Sequence, residues 1–348
     1  MIVVAVVGPT ATGKSDLALD LAQALGAVPA PGNFATPGRP DVPVGPTGTV
    51  NAEIVNADAY QLYHGMDVGT AKVPPAERRG IVHHQLDVLD PLQDASVARY
   101  QEAARADLDA IAGRGARAVV VGGSGLYVRA LLDAMDFPGT DPEIRARLEA
   151  RAEAEGRRAL HAELAGLDPQ AATSIGPHNT RRIVRALEVI EITGRPYTAN
   201  LPRQEYVRPA VQIGLDCSRE VLDARVAGRV DRMWEAGLVD EVRVLASPEQ
   251  GGTGTGLGVT AARAVGYAEV LAWWRGESTE AEAREAVTAN TRRLARKQMG
   301  WFGRDPRVHW LDAASPHLLD DALAIVAAAD AGTLPIAGAE PVRRSLGS

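Results

Sequence analysis

Residues 8–15 read GPTATGKS, and they directly follow the apolar run IVVAVV at residues 2–7. The eight residues match the pattern G-x-x-x-x-G-K-[ST], in which backbone N–H groups and the first turn of a helix surround phosphate groups. The run before them is rich in β-branched residues, which favours a buried strand. Leu17, Leu21 and Leu25 follow at a spacing of four, which favours a helix. The chain is therefore predicted to begin with a phosphate-binding loop between a strand and a helix.

Strands and helices are predicted to alternate beyond this loop. Apolar, β-branched runs predict further strands at 53–57, 118–121 and 211–215. Helical periodicity predicts helices at 97–112, 219–246, 279–302 and 317–329. In the helix at 279–302, Val287, Leu294 and Trp301 mark the expected buried stripe. This order predicts an α/β fold, a doubly wound parallel sheet of the P-loop NTPase type.

The pattern changes over residues 140–205, which are almost wholly helical and begin with the good helix start Asp141-Pro142. We predict that they form an all-helical domain inserted into the α/β core, which comprises 1–139 and 206–330. Residues 27–50 are dense in Pro and Gly and are predicted to be an exposed, dispensable insertion. Residues 331–348 are predicted to be a loose tail. Deleting 29–48 should leave activity intact; a folded but inactive deletion variant would refute this.

Composition limits the class of protein. A chain of 348 residues suggests about two domains. With 46% apolar and 23% charged residues it has the composition of a globular protein, and no apolar run is long enough to span a membrane. The single cysteine, Cys217, excludes a disulfide framework and a thiolate zinc site, and a cytoplasmic location is expected. The net charge of −7 disfavours a globally basic surface but allows local basic patches.

The loop predicts a di- or triphosphate ligand, with Lys14 at the terminal phosphates and the Ser15 hydroxyl on Mg²⁺. In a nucleotide-hydrolysing protein of this type, an aspartate that helps to hold Mg²⁺ should end a second strand. Here the strand at 118–121 ends in Gly122-Gly123-Ser124, and no guanine-selecting Asn-Lys-x-Asp is present. The chain therefore lacks the usual residues of a motor protein or a GTPase.

Asp58 follows the strand at 53–57, and in a doubly wound sheet the carboxyl ends of the strands border the ligand crevice. Asp58 could be a general base beside the phosphates, or it could only cap an Asx turn. The residues alone leave both open. Adjacent His83 and His84 would point to opposite faces of a strand, so a metal-ligand pair there is not expected.

Three groups of basic residues have helical spacing, and each suits either a solvated helix face or contact with a nucleic-acid backbone. They are Arg181, Arg182 and Arg185; Arg225, Arg229 and Arg232; and Arg292, Arg293, Arg296 and Lys297. The residues thus leave two functions open: a small-molecule kinase that uses Asp58 as base, and a non-catalytic nucleotide switch or RNA-binding module.

Several strings occur in one order along the chain. They are GPTATGKS, NADAYQLYHGMDVGTAK, HHQLDVLDP, VVVGGSGLYVRALL, RRIVRALEV, ARAVGYAEV, TRRLARKQMGWF and VHWLD. Together they closely resemble the bacterial tRNA dimethylallyltransferase family over about residues 1–313, apart from the insertion at 27–50. The GMDVGTAK and GGSGLY strings are the most specific part of the resemblance.

The resemblance implies transfer of a dimethylallyl group from dimethylallyl diphosphate to the exocyclic amine of the adenosine 3′ of the tRNA anticodon. No ATP is used, because the loop holds a diphosphate. Prenyl transfer to free AMP is the related alternative. The implied partners are dimethylallyl diphosphate and the anticodon stem-loop, which the helical insert would grip; Mg²⁺ is the implied cofactor, and a monomer is expected.

The resemblance also implies roles for individual residues. Asp58 would deprotonate the amine, Arg263 would stabilise the leaving diphosphate, and Thr10 would lie near its bridging oxygen. The diphosphate loop would comprise Gly8, Pro9, Thr10, Ala11, Thr12, Gly13, Lys14 and Ser15. Residues in contact with tRNA would be Asp58, Ala59, Tyr60, Gln61, Ser124, Arg145, Arg181, Arg182, Ile183, Val184, Arg185, Arg292, Arg293, Arg296 and Lys297. One departure is Gly300, where the family usually has threonine; glycine weakens a helix by about 1 kcal/mol and is expected to end this one early.

Overall fold

The structure is a computed structural model and describes residues 1–26, 51–200, 204–334 and 346–347. Within these residues six strands form one sheet, in which every neighbouring pair is parallel. The strands are β1 (Val3–Val7), β2 (Ala52–Asn56), β3 (His83–His84), β4 (Arg117–Val121), β5 (Ala210–Asp216) and β6 (Val308–Asp312). Their order across the sheet is β3-β2-β4-β1-β5-β6. The predicted parallel α/β fold is confirmed.

The α-helices fall into two groups, one around the sheet and one within the predicted insert. Those of the sheet unit are α1 (Lys14–Gly26), α2 (Val97–Gly113), α3 (Gly125–Leu132), α8 (Arg219–Glu235), α9 (Leu238–Leu245), α10 (Tyr267–Trp274), α11 (Glu280–Phe302) and α12 (Leu318–Asp330). Those of the insert are α4 (Pro142–Ala154), α5 (Arg157–Leu167), α6 (Pro169–Ile175) and α7 (Thr180–Thr193). None of the described helices is both long and apolar enough to cross a membrane.

The chain divides into two compact units, Met1–Leu132 with Arg208–Ser348, and Asp133–Val207. In the first unit, alternate residues of β1 pack against Leu17 and Leu21 of α1 and against Val326 of α12. All five residues of β1 are buried, as expected for a central strand of a parallel sheet. Burial of these apolar side chains restricts the conformation of the loop that follows β1, because both ends of the loop are held in the core.

The second unit has its own apolar core, built on Leu160, Leu164 and Ile183, each of which is fully buried. The side chain of Asp141 caps α4 by accepting hydrogen bonds from the N–H groups of Glu143 and Ile144. The helix start predicted there is therefore present, although the unit itself begins earlier than residue 140.

Three details of the predicted helices are wrong. The helix predicted over 219–246 is two helices, because Gly237 adopts a left-handed conformation with φ +91° between α8 and α9. Gly300 does not end α11, which continues to Phe302. Trp301 is 45% exposed rather than part of the buried stripe, whereas Val287 is buried as predicted.

Two strands escaped prediction, the two-residue β3 and the edge strand β6. The glycine-rich loop at 250–258 is held in place, since its N–H groups at Gly252, Gly254 and Gly256 donate to the backbone at the end of α9 and just after it. The predicted insertion at 27–50 lies outside the described residues, as does most of the predicted tail at 331–348.

Candidate active site

A cleft of about 490 Å³ opens in the first unit where β1, β2 and β4 end. Parallel strands end at one edge of the sheet, so the residues that follow them meet there. The cleft brings together many of the predicted residues: Thr10, Ala11, Gly13, Lys14, Ser15, Asp58, Tyr60, Gln61, Arg263, Arg293 and Lys297. Gly8, Pro9 and Thr12 complete the loop without lining the cleft, and Ala59, Ser124, Arg292 and Arg296 are not part of its wall.

The phosphate loop depends on backbone shapes that larger residues would prevent. Gly8 has φ +126°, and a Cβ there would lie 2.6 Å from the carbonyl oxygen of Leu215. Thr12 Oγ1 and Lys14 Nζ both donate to the carbonyl of Pro9, at 2.9 and 2.5 Å. The lysine thus folds back over its own loop, in the position from which it would reach a phosphate.

Lys14 lies in an environment that disfavours its charge. Burial and, to a smaller extent, repulsion from Arg229 lower the pKa of Lys14 from 10.5 to about 7, although Asp58 opposes both effects. A lysine with this pKa is partly neutral near pH 7 and becomes fully charged when an anion binds beside it. The loop therefore favours a ligand with several negative charges.

Asp58 forms the Asx turn that the sequence left open, and it also lies on the cleft wall, where a general base would have to be. Its Oδ1 accepts a hydrogen bond from the N–H of Tyr60 at 2.9 Å, which is an Asx turn, and its side chain also lines the cleft. Asn56, which is buried, holds the backbone of Asp58 by accepting from its N–H and donating to its carbonyl, both at 3.1 Å. The carboxylate is therefore fixed in direction at the edge of the cleft.

The same surroundings make Asp58 a stronger base. Burial raises the pKa of the Asp58 carboxyl above its ordinary value, against the opposing effects of the Tyr60 N–H and of Lys14. A carboxylate with a raised pKa accepts a proton more readily at neutral pH. The sequence identified this residue but missed Asn56, whose only signal was its place at the end of β2.

The segment 66–72 closes one side of the cleft and is held by two charged side chains. The Glu241 carboxylate accepts from the N–H groups of Asp67, Val68 and Gly69 at 2.7–3.0 Å. Lys72 bonds the carboxylates of Asp67 and Asp87, each at 2.6 Å. These contacts give a physical reason for the specific GMDVGTAK string, because three of its N–H groups and both of its charged side chains have defined partners.

Thr10 forms hydrogen bonds with two side chains that the sequence did not place at the phosphate loop. The N–H of Thr10 donates to Gln298 Oε1 of α11 at 2.7 Å. Arg229 Nη1 of α8 donates to Thr10 Oγ1 at 3.1 Å. The sequence groups Arg229 with Arg225 and Arg232, as a solvated helix face or a nucleic-acid contact. Its position between Val226 and Val230, which are buried, is the signal that distinguishes Arg229 from the other two arginines.

Comparison with known proteins identifies the family. Residues 61–305 match a family model described as IPP transferase. The chain belongs to the IPP transferase family. It is 56% identical over 324 residues to a tRNA dimethylallyltransferase of Thermobifida fusca, covering 93% of this chain and 94% of the relative. It is 55% identical over 309 residues to a protein of the same name from Streptomyces coelicolor, covering 89% of each. The resemblance drawn from the motifs is confirmed.

Solved structures of the family agree. A tRNA isopentenylpyrophosphate transferase from Bacillus halodurans superposes with a TM-score of 0.64 at 33% identity, covering 95% of this chain and 97% of that one. A eukaryotic dimethylallyltransferase acting on tRNA superposes with a TM-score of 0.76 at 24% identity, covering 95% and 79%. The second likeness is evidence of a shared fold alone.

In this family member the predicted RNA-contacting residues of α11 divide into two sets. Arg292 faces α8, where its Nη2 donates to the carbonyl of Asp223 at 3.3 Å. Arg293, Arg296 and Lys297 are exposed. Ser124, by contrast, accepts a hydrogen bond from the N–H of Ala59 at 3.4 Å, so it also helps to shape the turn after β2.

The helical unit divides its predicted residues in the same way. Arg181 and Arg182 are exposed. Ile183 and Val184 are buried in the unit's core, so their side chains are not available to RNA and that part of the prediction is wrong. Arg145 and Arg185 both donate to Glu188, which is fully buried, at 2.7 and 2.9 Å. Arg145 remains 40% exposed on its side chain.

Ser15 is the residue through which a metal ion could bind. It is half-buried in the first turn of α1 and lines the cleft beside Lys14. Its hydroxyl suits Mg²⁺, which commonly takes one or two protein oxygens and completes its coordination with phosphate oxygens and water. In the parts of the chain that the structure describes, no group of three or more His, Cys, Asp or Glu side chains could hold a metal, and His84 instead bonds Glu53 at 2.6 Å.

Proposed function

We propose that this protein transfers the dimethylallyl group of dimethylallyl diphosphate to the exocyclic amine of the adenosine 3′ of the anticodon in tRNA, releasing diphosphate. The observation that carries the proposal is a fixed carboxylate, Asp58, in one cleft with a phosphate loop, in a chain whose relatives are named tRNA dimethylallyltransferases. A phosphate loop alone would support only phosphate binding.

Asp58 acts on the nucleophile. The adenine amine attacks the first carbon of the dimethylallyl group, and its proton passes to the Asp58 carboxylate. The raised pKa of this carboxyl suits a group that must take a proton at neutral pH. The base must leave its stack to enter the cleft, where Asp58, Tyr60 and Gln61 border its path.

The phosphate loop acts on the leaving group. As the carbon–oxygen bond breaks, its electron pair stays on the diphosphate, whose negative charge must be stabilised. Lys14, Arg263 and the loop N–H groups lie where they can supply that stabilisation. Mg²⁺, held through Ser15 and the diphosphate oxygens, would add further positive charge.

The dimethylallyl tail occupies the apolar part of the cleft, whose wall includes Val230, Met233, Val287 and Leu294. This wall buries the tail and keeps water from an electrophilic carbon, because a water molecule there would compete with the amine. The exposed arginines of the helical unit and of α11 contact the phosphates of the RNA.

We further propose that the protein acts as a monomer in the cytoplasm. Light scattering of the purified protein should give a mass close to 36.7 kDa. A stable dimer would contradict the monomer without affecting the chemistry.

An acceptor screen tests the proposed function against its alternatives. Labelled dimethylallyl diphosphate is incubated with the protein, Mg²⁺ and either unmodified tRNA or AMP; a parallel reaction follows transfer of the ATP γ-phosphate. Transfer to tRNA alone is expected. Label on AMP would indicate an adenylate prenyltransferase, and phosphoryl transfer would indicate a kinase. RNA binding with neither reaction would indicate a non-catalytic module.

A further inference from the structure

We propose that Gln85 is a positioning residue for Asp58, because it holds the buried amide of Asn56 that fixes the backbone of Asp58. The inference rests on the proposed function for the role of Asp58 as a base. Gln85 belongs to the HHQLDVLDP string, to which the family resemblance assigns no role at the site. It directly follows the two-residue strand β3 and is not part of the cleft wall.

The carbonyl of Gln85 completes the hydrogen bonds of the Asn56 side chain. Asn56 Nδ2 donates to the Gln85 carbonyl at 2.9 Å and to the Asp58 carbonyl at 3.1 Å, while Asn56 Oδ1 accepts from the Asp58 N–H at 3.1 Å. Both Asn56 and Gln85 are buried. A buried amide with these bonds keeps one orientation, because turning it over would leave buried donors and acceptors without partners.

Gln85 presents this carbonyl from a backbone conformation that needs support. Its φ is +57°, in the left-handed region that a residue with a Cβ rarely adopts. Such a conformation persists only where the surrounding contacts determine it. Gln85 Nε2 donates to Asp107 Oδ2 of α2 at 2.7 Å, and this bond supplies the support from the side chain. The side chain of Gln85 therefore fixes the direction of its own carbonyl.

Asp107 belongs to a charged cluster in which each carboxylate has a cationic partner. His84 Nδ1 lies 3.5 Å from Asp107 Oδ1, and His84 Nε2 lies 2.6 Å from Glu53 Oε2. Arg114 donates to both oxygens of Glu53, at 3.1 and 2.7 Å. Burial alone would raise the pKa of Asp107, but the bonds from His84 and Gln85 lower it. The Asp107 carboxyl therefore stays ionised and remains an acceptor for Gln85.

The contacts form one continuous path from α2 to the base, through Asp107, Gln85 and Asn56. The Tyr100 hydroxyl, also from α2, donates to the Asn56 carbonyl at 2.8 Å and fixes the backbone of that residue. A general base must lie within hydrogen-bond reach of the proton that it takes, and a displacement of about 1 Å can slow a reaction about 100-fold. Loosening Gln85 should therefore slow transfer and leave the contacts with diphosphate and RNA in place.

The test uses the full-length protein with two substitutions. Gln85→Leu removes the amide and keeps a side chain of similar size, and Asn56→Ala removes the group that Gln85 holds. Each is made in the wild-type protein and in Asp58→Asn, which has no base to position. Gln101→Leu is the matched control on α2, because it also removes an amide, whose Nε2 donates to the Ala130 carbonyl at 2.8 Å.

Amide hydrogen exchange without substrates measures the positioning directly. In Gln85→Leu and in Asn56→Ala, the N–H groups of Asp58 and Tyr60 should exchange at least about fivefold faster than in the wild type, because loss of a hydrogen bond loosens the turn that protects them. Gln101→Leu should leave both N–H groups at their wild-type exchange rates.

Single-turnover transfer at saturating dimethylallyl diphosphate and tRNA measures the effect on the base. With Asp58 present, Gln85→Leu should slow transfer about tenfold and Asn56→Ala about 10- to 100-fold, while the affinities for diphosphate and tRNA stay within about twofold of the wild type. With asparagine at 58, the same substitutions should change the rate by less than about threefold, because the two sites are coupled through one network. Gln101→Leu should change the rate by the same factor in both backgrounds.

Wild-type exchange at Asp58 and Tyr60 in the variants would overturn the inference. An equal loss of rate in both backgrounds would also overturn it, because a merely structural role gives that result. If one of the two variants does not fold, the other decides alone. The proposed function fails separately, since folded wild-type protein that transfers nothing would contradict it, and the exchange rates would still decide whether Gln85 fixes the turn at Asp58.

Discussion

Replacing Asp58 by asparagine should abolish most catalysis while leaving the cleft intact. Asparagine at 58 can still accept a hydrogen bond from the N–H of Tyr60, now at 2.9 Å, and its backbone keeps both bonds to Asn56. The cost to folding should therefore stay within about 1 kcal/mol, the net value of one such hydrogen bond. Asparagine cannot accept the proton of the adenine amine.

The size of the loss follows from the role. A positioned general base contributes about 10²–10⁴ in rate, which is about 3–5 kcal/mol of barrier at 1.36 kcal/mol per tenfold. A second, smaller effect comes from Lys14. Asp58 raises the pKa of that lysine, so its removal lowers the pKa of Lys14 and weakens donor binding near neutral pH. The rate must therefore be measured at saturating dimethylallyl diphosphate.

The assay is single-turnover transfer of labelled dimethylallyl to tRNA, with tRNA affinity and thermal stability measured on the same samples. Asp58→Ala is the comparison variant, because it loses the turn's hydrogen bond as well as the base. Both variants should bind tRNA and turn over 10²–10⁴-fold slower, with Asp58→Ala the less stable. Turnover of Asp58→Asn within about threefold of the wild type would refute the assignment of the base.

Three further variants test other parts of the account. Arg181→Ala with Arg182→Ala should weaken tRNA binding and reduce the slope of log affinity against log salt by about 1–2, as expected for two phosphate contacts; an unchanged slope in filter binding would place the RNA elsewhere. Glu188→Ala should lower the free energy of unfolding by about 3 kcal/mol, because it leaves two arginines without their buried partner. Burial alone would raise the pKa of Glu188, but its bonds from Arg145 and Arg185 lower it. The stabilisation that Glu188 provides is therefore full above its unfolded-state pKa and is lost as pH falls through its folded-state pKa. Urea titrations should show the difference in unfolding free energy between wild type and Glu188→Ala shrinking in acid. A pH-independent difference would contradict the ion pairing. Gly123→Ala should weaken diphosphate binding about tenfold, because a Cβ would lie 2.3 Å from Gln298 Nε2 and displace the amide that holds Thr10. Wild-type diphosphate affinity in calorimetry would contradict a role of Gln298 in holding the phosphate loop.

Local patterns were sufficient for most of the fold. The run before Gly8 and the leucines after it predict β1 and α1, because buried strands and amphipathic helices have distinct periods. Two residues at His83–His84 are too few to show any period, so β3 could not be found this way. Gly237 interrupts an otherwise continuous helical pattern by adopting a left-handed conformation, which the period of the apolar residues does not reveal.

Residues of the candidate site could be predicted where one continuous segment contains them. They were harder to predict where segments distant in the sequence meet. Residues 8–15 and Asp58 carry their chemistry in the sequence. Arg229 and Gln298 reach Thr10 from residues more than 200 positions away, and such contacts leave no periodic signal. Ile183 and Val184 were predicted to contact RNA because they lie between the arginines of one motif. Their side chains instead anchor that helix in the core of its unit.

The most direct test of the central claim maps the position of the transferred group. Wild-type protein, labelled dimethylallyl diphosphate, Mg²⁺ and no ATP are combined with an unmodified tRNA, and with the same tRNA carrying guanosine in place of the adenosine 3′ of the anticodon. Nuclease digestion and mass spectrometry should find one dimethylallyl group on that adenosine and none on the substituted tRNA. Label elsewhere, a need for ATP, or no label with folded protein and intact tRNA would contradict the account.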